Sequence, residues 1–387
     1  MSAPREPLPY RSPWMDEELD DLAEMAGIFF EREIVPHIER FAEQHGVDRE
    51  VWNKAGEQGL LLPSVPEEFG GAGGTFAHEA VILTAQGYAT DDSLGHAIHS
   101  GIVPHYIMEY GTEDQKRQWL PKLATGEWVA ALGMTEPGAG SDVASIRTRA
   151  VREGDEYVIN GSKTFITNGT HADFVLIAAR TGEAGAKGVS MIGIPVAEVT
   201  GFDRGRDLSK IGMQGSDTRE LSFTDLRVPV ANLLGGEEGR GFTQMMQQLP
   251  QERLCVSVSA VANIEKAIEL TVAYCKEREA FGQRLLDFQN TGFELAECST
   301  DALAARTFLD HCIGLHLRGE LDAVTASRLK YWTTDLQGRV LDRCLQLFGG
   351  YGFMAEYPIA RMFSGARVQR IYAGSNEIMK VLIHRSL

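Results

Sequence analysis

Apolar residues in the first third of the chain recur at helical spacing. Phe29, Phe30, Ile34, Ile38 and Phe41 line one helix face. Pro36 interrupts that run and predicts a bend, because it lacks the N–H of an interior turn. Thr112 and Gln115 have capping-box spacing and predict a helix start. Residues from about 14 to 130 therefore read as helices. The GGAGG run at 70–74 follows no predicted strand and lacks the lysine of a phosphate loop, so it reads as a connector.

The period changes after Ala130. Asp155–Asn160 and Lys163–Thr167 read as short strands around Asn160-Gly161, a strong hairpin signal. Phe174–Ala178 and Val189–Val196 are apolar and partly β-branched, and Glu220–Val228 alternates. Gly235, Gly236, Gly239 and Gly241 predict a flexible join. From Phe242 the helical period returns, with stripes at Ile264, Ile268 and Val272 and later at Leu336, Val340 and Leu347. Such stripes suit an internal bundle or a second subunit. The predicted fold class is α+β and mainly helical. A helical domain at 14–130 precedes a middle β domain, barrel or sandwich, at 131–240 and a helical domain at 241–387.

A chain of 387 residues can bury a sizeable core and divide into two or three domains. The net charge of −17 argues against general binding to nucleic acid or anionic membrane, so an anionic ligand needs a local cluster of donors. No apolar run is long enough to span a bilayer. The N-terminus lacks a signal-peptide core, and Asp16, Glu17, Glu18 and Asp20 do not suit an acid-poor transit peptide. A cytoplasmic location is expected, or the mitochondrial matrix for a processed chain. Five cysteines with no CxxC pair suit a reduced compartment. His96 and His99 could share a helix face, as could His311 and His316 less well. Neither pair has the further ligands zinc needs, so no metal site is expected.

The segment Met134–Asp142, MTEPGAGSD, is the most informative stretch. Its Pro-Gly-Ala-Gly backbone is stripped of bulk and can approach a ligand through its N–H groups. Thr135, Ser141, Glu136 and Asp142 flank it with hydroxyls and carboxylates. That suits an extended polar cofactor or phosphate ester, or else a turn joining two domains. Three later segments combine glycines with hydrogen-bonding side chains at helix ends: Arg278–Gly282 with Phe288-Gln289, Gln346–Gly352, and Ile371–Glu377. Singly, each also reads as a solvated charge or a helix stop.

Together, in this order, these segments resemble the acyl-CoA dehydrogenase family of flavoproteins across nearly the whole chain. The resemblance implies an N-terminal helical domain, a β domain and a C-terminal four-helix bundle, with FAD between the last two in a homotetramer. It implies that Leu132, Met134, Thr135, Gly140 and Ser141 run along the flavin and the CoA ester. Phe165, Ile166 and Thr167 would lie against the flavin ring; strand alternation puts Phe165 and Thr167 on one face. Arg278 resembles the residue that pairs with the FAD pyrophosphate of a neighbouring subunit, a task suited to guanidinium. Phe281, Gln289, Gln346, Gly349 and Gly350 match other FAD contacts. Ser375 and Glu377 match the adenosine side, with Ser375 where the family often has Thr.

One departure matters. Where part of the family carries its catalytic Glu, this chain has Ala373, which cannot accept a proton. The long-chain and isovaleryl-type branch supplies the base from an earlier helix, in a segment resembling Pro250–Leu254. That puts the base on Glu252, otherwise an exposed helix acid. The segments AIHSGIV at 97–103 and YPIARMFSGARVQRIYAGSNEIM at 357–379 favour the long-chain side.

The implied reaction is FAD-dependent α,β-dehydrogenation of an acyl-CoA thioester, of medium-to-long or branched chain, to the trans-2-enoyl-CoA, as in fatty-acid β-oxidation. The base takes the α-proton while flavin N5 accepts the β-hydride. The backbone N–H of Ala373 would polarise the thioester carbonyl, and Arg253 would position substrate. Burial should raise the Glu252 pKa toward working pH. Electron-transfer flavoprotein is the implied electron acceptor. An acyl-CoA oxidase or flavin monooxygenase on the same scaffold, or a non-catalytic flavin- or CoA-ester-binding protein, are the other readings.

Overall fold

The computed structural model describes residues 10–387. Helices come first: α1 (Glu17–Glu33), α2 (Ile38–Gln44), α3 (Arg49–Glu57), α4 (Phe76–Tyr88), α5 (His96–His99), α6 (Val103–Tyr110) and α7 (Glu113–Ala124). The Asp16 side chain caps α1 by accepting from Leu19 N at 3.0 Å, and Glu17, Glu18 and Asp20 complement the positive end of its dipole. Pro36 lies in a short 3-10 turn that separates α1 from α2, as its missing N–H requires. Thr112 and Gln115 exchange both capping-box hydrogen bonds, at 3.2 and 3.0 Å. Residues 70–74 connect a 3-10 turn to α4.

Seven strands follow in one sheet: β1 (Val129–Gly133), β2 (Arg149–Glu153), β3 (Glu156–Thr167), β4 (Ala172–Arg180), β5 (Val189–Pro195), β6 (Phe202–Asp207) and β7 (Thr218–Pro229). The order is β1-β4-β2-β3-β7-β6, with β5 pairing to β4. β1 runs parallel to β4, placing Leu132 beside Leu176, while β3 and β7 are antiparallel.

The hairpin expected at Asn160-Gly161 does not form. The turn lies earlier, at Gly154-Asp155 between the paired Glu153 and Glu156, with Gly154 at φ +65°. Asn160 and Gly161 sit inside continuous β3, where the register against β7 slips. Asn160 bonds across to Asp225 through both its amide nitrogen (3.0 Å) and its oxygen (2.9 Å). Gly161 is needed for a close approach, since a Cβ there would stand 2.6 Å from Thr148 Oγ1. The glycine signal marks a bulge.

The glycine-rich join is likewise anchored. Gly235 N donates to Gln115 Oε1 at 3.2 Å and Gly239 N to Ser190 Oγ at 2.8 Å. It leads into α8 (Gly241–Glu277), a short hairpin of β8 (Glu279–Ala280) and β9 (Gln283–Arg284), then α9 (Gln289–Leu317), α10 (Ala323–Phe348), α11 (Pro358–Ala366) and α12 (Asn376–His384). The stripe on α8 is shifted from the expected one. Ile264, Ala267, Thr271 and Cys275 are buried, while Ile268 and Val272 are half-buried. Leu336 and Val340 enter the same core, whereas Leu347 is half-buried outside it. These helices find their apolar partners within the chain, and each fully buried large side chain contributes about 1.5–3 kcal/mol.

His96 and His99 serve packing. His96 Nε2 meets Leu60 O at 2.8 Å, and His99 bridges Leu123 O (3.0 Å) and Ala130 N (3.0 Å). Burial pushes His99 down to about 3, so it is neutral. The five cysteines are all buried and unpaired. Among the described residues, no helix is long and apolar enough to cross a membrane.

Candidate active site

A cavity of about 510 Å³ opens between the N-terminal helices, the sheet and the C-terminal helices. Of the residues singled out in the sequence, Leu132, Met134, Thr135, Gly140, Ser141, Phe165, Ile166, Thr167, Glu252, Arg253 and Ala373 all border it.

The loop after β1 is held at its base so that its tip stays free. Thr164 N donates to Thr135 O at 3.0 Å, and Glu136 and Ala139 exchange backbone hydrogen bonds at 2.9 and 3.1 Å. A Cβ added at Gly138 or Gly140 would meet nothing within 4 Å. Ser141 and Asp142 are exposed beside them. Glu136, expected to flank a ligand, instead points inward. Its carboxylate accepts from Arg147 N (2.6 Å), Thr148 N (2.9 Å) and the ammonium of Lys163 (2.8 Å). Burial alone would raise its pKa; Lys163 and the backbone donors outweigh that and hold it low. Burial pushes Lys163 down to about 8 against the pull of Glu136.

The end of β3 forms the adjoining wall. Strict alternation does not hold there, because the register against β7 shifts between Lys163 and Ile166 and Phe165 has φ +61°. Phe165 is 67% exposed while Ile166 is buried, and both border the cavity with Thr167.

Glu252 and Arg253 enter from α8, just after Pro250. Glu252 is 6% exposed. Its Oε1 accepts from the Tyr106 hydroxyl at 2.8 Å. Burial pushes its carboxyl up to about 7, against the opposing effects of that hydrogen bond and the Arg253 charge. Arg253 turns away to Ser327 Oγ (3.2 Å) and Ala323 O (3.5 Å), leaving its buried Nε without a partner.

Ala373, which also borders the cavity, adopts a left-handed backbone at φ +52°. Among the described residues, its N–H meets no acceptor. The turn is fixed from beneath by Lys330 of α10, fully buried, whose ammonium donates to Gly374 O (2.8 Å) and Asn376 Oδ1 (3.0 Å). Burial, then the nearby Arg253 charge, pushes Lys330 down to about 7. A carboxyl titrating near neutrality can take up a proton, and a free N–H on the same cavity can hold an oxygen as charge develops on it.

The remaining expected residues do not border this cavity. Arg278 ends α8 with its guanidinium 5.8 Å from the Tyr351 ring centroid, which joins the 278–282 and 346–352 segments. Phe281 is 98% exposed in the β8–β9 turn, with its ring 6.4 Å from that of Phe288. Gln289 opens α9, while Gln346, Gly349 and Gly350 lie at the end of α10. Ser375 caps α12, and Glu377 stands exposed in its first turn. Ser375 and Glu377 thus directly follow the Ala373-Gly374 turn that borders the cavity, whereas Arg278 and Tyr351 meet outside its lining.

Sequence reasoning missed Tyr106 and Lys330. Tyr106 lies on a helix whose apolar pattern accounts for it as core, and a lone helical lysine reads as solvated. Neither carries a local signal.

The whole length has relatives. Residues 16–127, 131–226 and 239–387 match the acyl-CoA dehydrogenase N-terminal, middle and C-terminal domains. The mitochondrial long-chain specific acyl-CoA dehydrogenase of Mus musculus is 44% identical over 373 residues, covering 96% of this chain and 86% of the relative. An acyl-CoA dehydrogenase from Geobacillus kaustophilus superposes with a TM-score of 0.94 at 43% identity, covering 97% of this chain and 99% of the other. One from Bacillus anthracis, solved in complex with FAD, gives 0.92 at 31% identity, covering 97% and 68%. The chain belongs to the acyl-CoA dehydrogenase family.

Proposed function

We propose that this protein binds FAD and desaturates acyl-CoA thioesters between the α and β carbons, with Glu252 as the base. One observation carries the reading: a buried carboxyl titrating at about 7 opens onto the same cavity as the unpaired N–H of Ala373. The residues present suit a flavin dinucleotide. Gly138 and Gly140 leave open backbone, and Thr135, Ser141 and Thr167 supply hydroxyls.

FAD, when bound, supplies the acceptor for the β-hydrogen, which leaves as hydride. Glu252 takes the α-proton. Ala373 N–H donates to the thioester oxygen as that proton departs, and alanine serves because only the backbone is needed. Arg253, which borders the cavity beside Glu252, positions substrate. Leu83, Ile98, Ile102 and Val256 line the cavity between α4, α5 and α8, an apolar wall suited to a medium-to-long or branched acyl chain. Arg278 serves the FAD pyrophosphate of a neighbouring copy in a homotetramer, and its absence from the lining of the chain's own cavity supports that reading; Phe281, Gln289, Gln346, Gly349 and Gly350 make other FAD contacts, and Ser375 and Glu377 lie on the adenosine side. Electron-transfer flavoprotein is the proposed electron acceptor, in the cytoplasm or a mitochondrial matrix. The proposed domains are 14–130, 131–240 and 241–387.

Glu252→Gln is expected to retain FAD but not to bleach it with acyl-CoA under anaerobic conditions. Wild-type reduction by that variant would overturn the assignment of the base.

A further inference from the structure

We propose that Tyr106 is a positioning residue for Glu252, gripping one carboxyl oxygen so that the other alone faces the ligand. This rests on Glu252 being the base.

The packing of Tyr106 is explained by its ring; its hydroxyl is not. The side chain is fully buried in the apolar cluster of the N-terminal helices, where phenylalanine would fill almost the same space. Its oxygen nevertheless reaches out of α6 to α8 and donates to Glu252 Oε1 at 2.8 Å, in a wholly buried contact. Among the described residues, nothing else donates to Oε1 and nothing donates to Oε2. Glu252 borders the cavity, and Oε2 is not sealed among protein atoms without a partner. The two oxygens are therefore inequivalent: one is tethered and the other is free to take a proton.

The tether does two things. It fixes the rotation of the carboxyl plane, so that Oε2 need not be oriented anew at each turnover. It also stabilises the ionised form in a site that burial otherwise pushes toward the acid. Few other groups share that task. From α8, Arg253 favours the carboxylate, and Cys255 is kept neutral by burial and by the nearby Glu79 and Glu252 carboxyls. From α6, Tyr110 stands behind Tyr106, with ring centroids 6.3 Å apart. Tyr372 lines the same cavity from the turn before α12.

The test uses the FAD-loaded protein and three variants: Tyr106→Phe, Tyr106→3-fluorotyrosine and Glu252→Gln. Anaerobic flavin reduction by an acyl-CoA thioester is followed against pH. In parallel, the protonated Glu252 carboxyl is titrated by its infrared C=O band, identified by its loss in Glu252→Gln. In Tyr106→Phe, the acid limb and the infrared titration should both move up by about one pH unit, a roughly tenfold change in the ionised fraction. The plateau rate should fall roughly tenfold through lost aim, with thioester affinity changed far less. The more acidic fluorophenol is a stronger donor and should move both titrations down, which keeps the test decisive should Tyr106→Phe fold poorly. Unmoved titrations in both Tyr106 variants, with wild-type plateau rates, would reduce Tyr106 to packing. Wild-type reduction by Glu252→Gln would instead defeat the base assignment, leaving the infrared shifts to judge the tether alone.

Discussion

Replacing Glu252 by glutamine should stabilise the protein at alkaline pH while abolishing its chemistry. The carboxyl is buried, and its pKa rises from an ordinary 4.5 to about 7 on folding. Between those values the folded chain holds a proton that the unfolded chain has released. Stability therefore falls as pH rises through that window and levels off above it. The difference is about 2.5 units (7 minus 4.5), and at about 1.4 kcal/mol per unit the wild type forgoes about 3.5 kcal/mol once Glu252 is ionised. Glutamine carries no charge at any pH and can still accept the Tyr106 hydrogen bond through its carbonyl. Denaturant midpoints of the FAD-loaded wild type and variant, measured from about pH 5 to about pH 8, should diverge with rising pH, the variant becoming the more stable. Parallel curves would refute the reasoning, because they would mean that folding does not shift the ionisation of Glu252.

Two further outcomes follow from the walls of the site. Lys163→Met leaves the Glu136 carboxylate buried without its cation, a loss of about 3–5 kcal/mol; the 134–142 loop should loosen, and flavin absorbance after desalting should drop. Ala373→Gly relieves a left-handed backbone and should raise stability by about 1 kcal/mol in thermal unfolding. It keeps the N–H, so anaerobic flavin reduction should stay close to the wild-type rate.

The broad order of helices, strands and helices was legible because apolar periodicity is a local property, and so was the wall around Met134–Asp142. What sequence missed depends on contacts between distant segments. Asn160-Gly161 carries a hairpin signature, but Asp225 and Thr148 make that spot a bulge. Glu136 sits in a ligand-like motif, yet its chemistry is consumed by Lys163 and two backbone amides. Tyr106 meets Glu252 from 146 positions away, and no local pattern encodes that contact. The join at 235–241 is rich in glycine for shape rather than freedom: a Cβ at Gly241 would lie 2.6 Å from the Ser190 carbonyl carbon.

α8 also acts as a ruler. Glu252 lies on α8 and Arg278 caps its far end, 26 positions on (278 minus 252), with no proline between them. At 1.5 Å per residue that is about 39 Å. The chain's own cavity takes in the Glu252 end and not Arg278, so this rod presents its two ends at two different addresses. Lesions near its start should spoil proton transfer, and lesions near its tip should, on the proposed reading of Arg278, spoil retention of a neighbour's FAD.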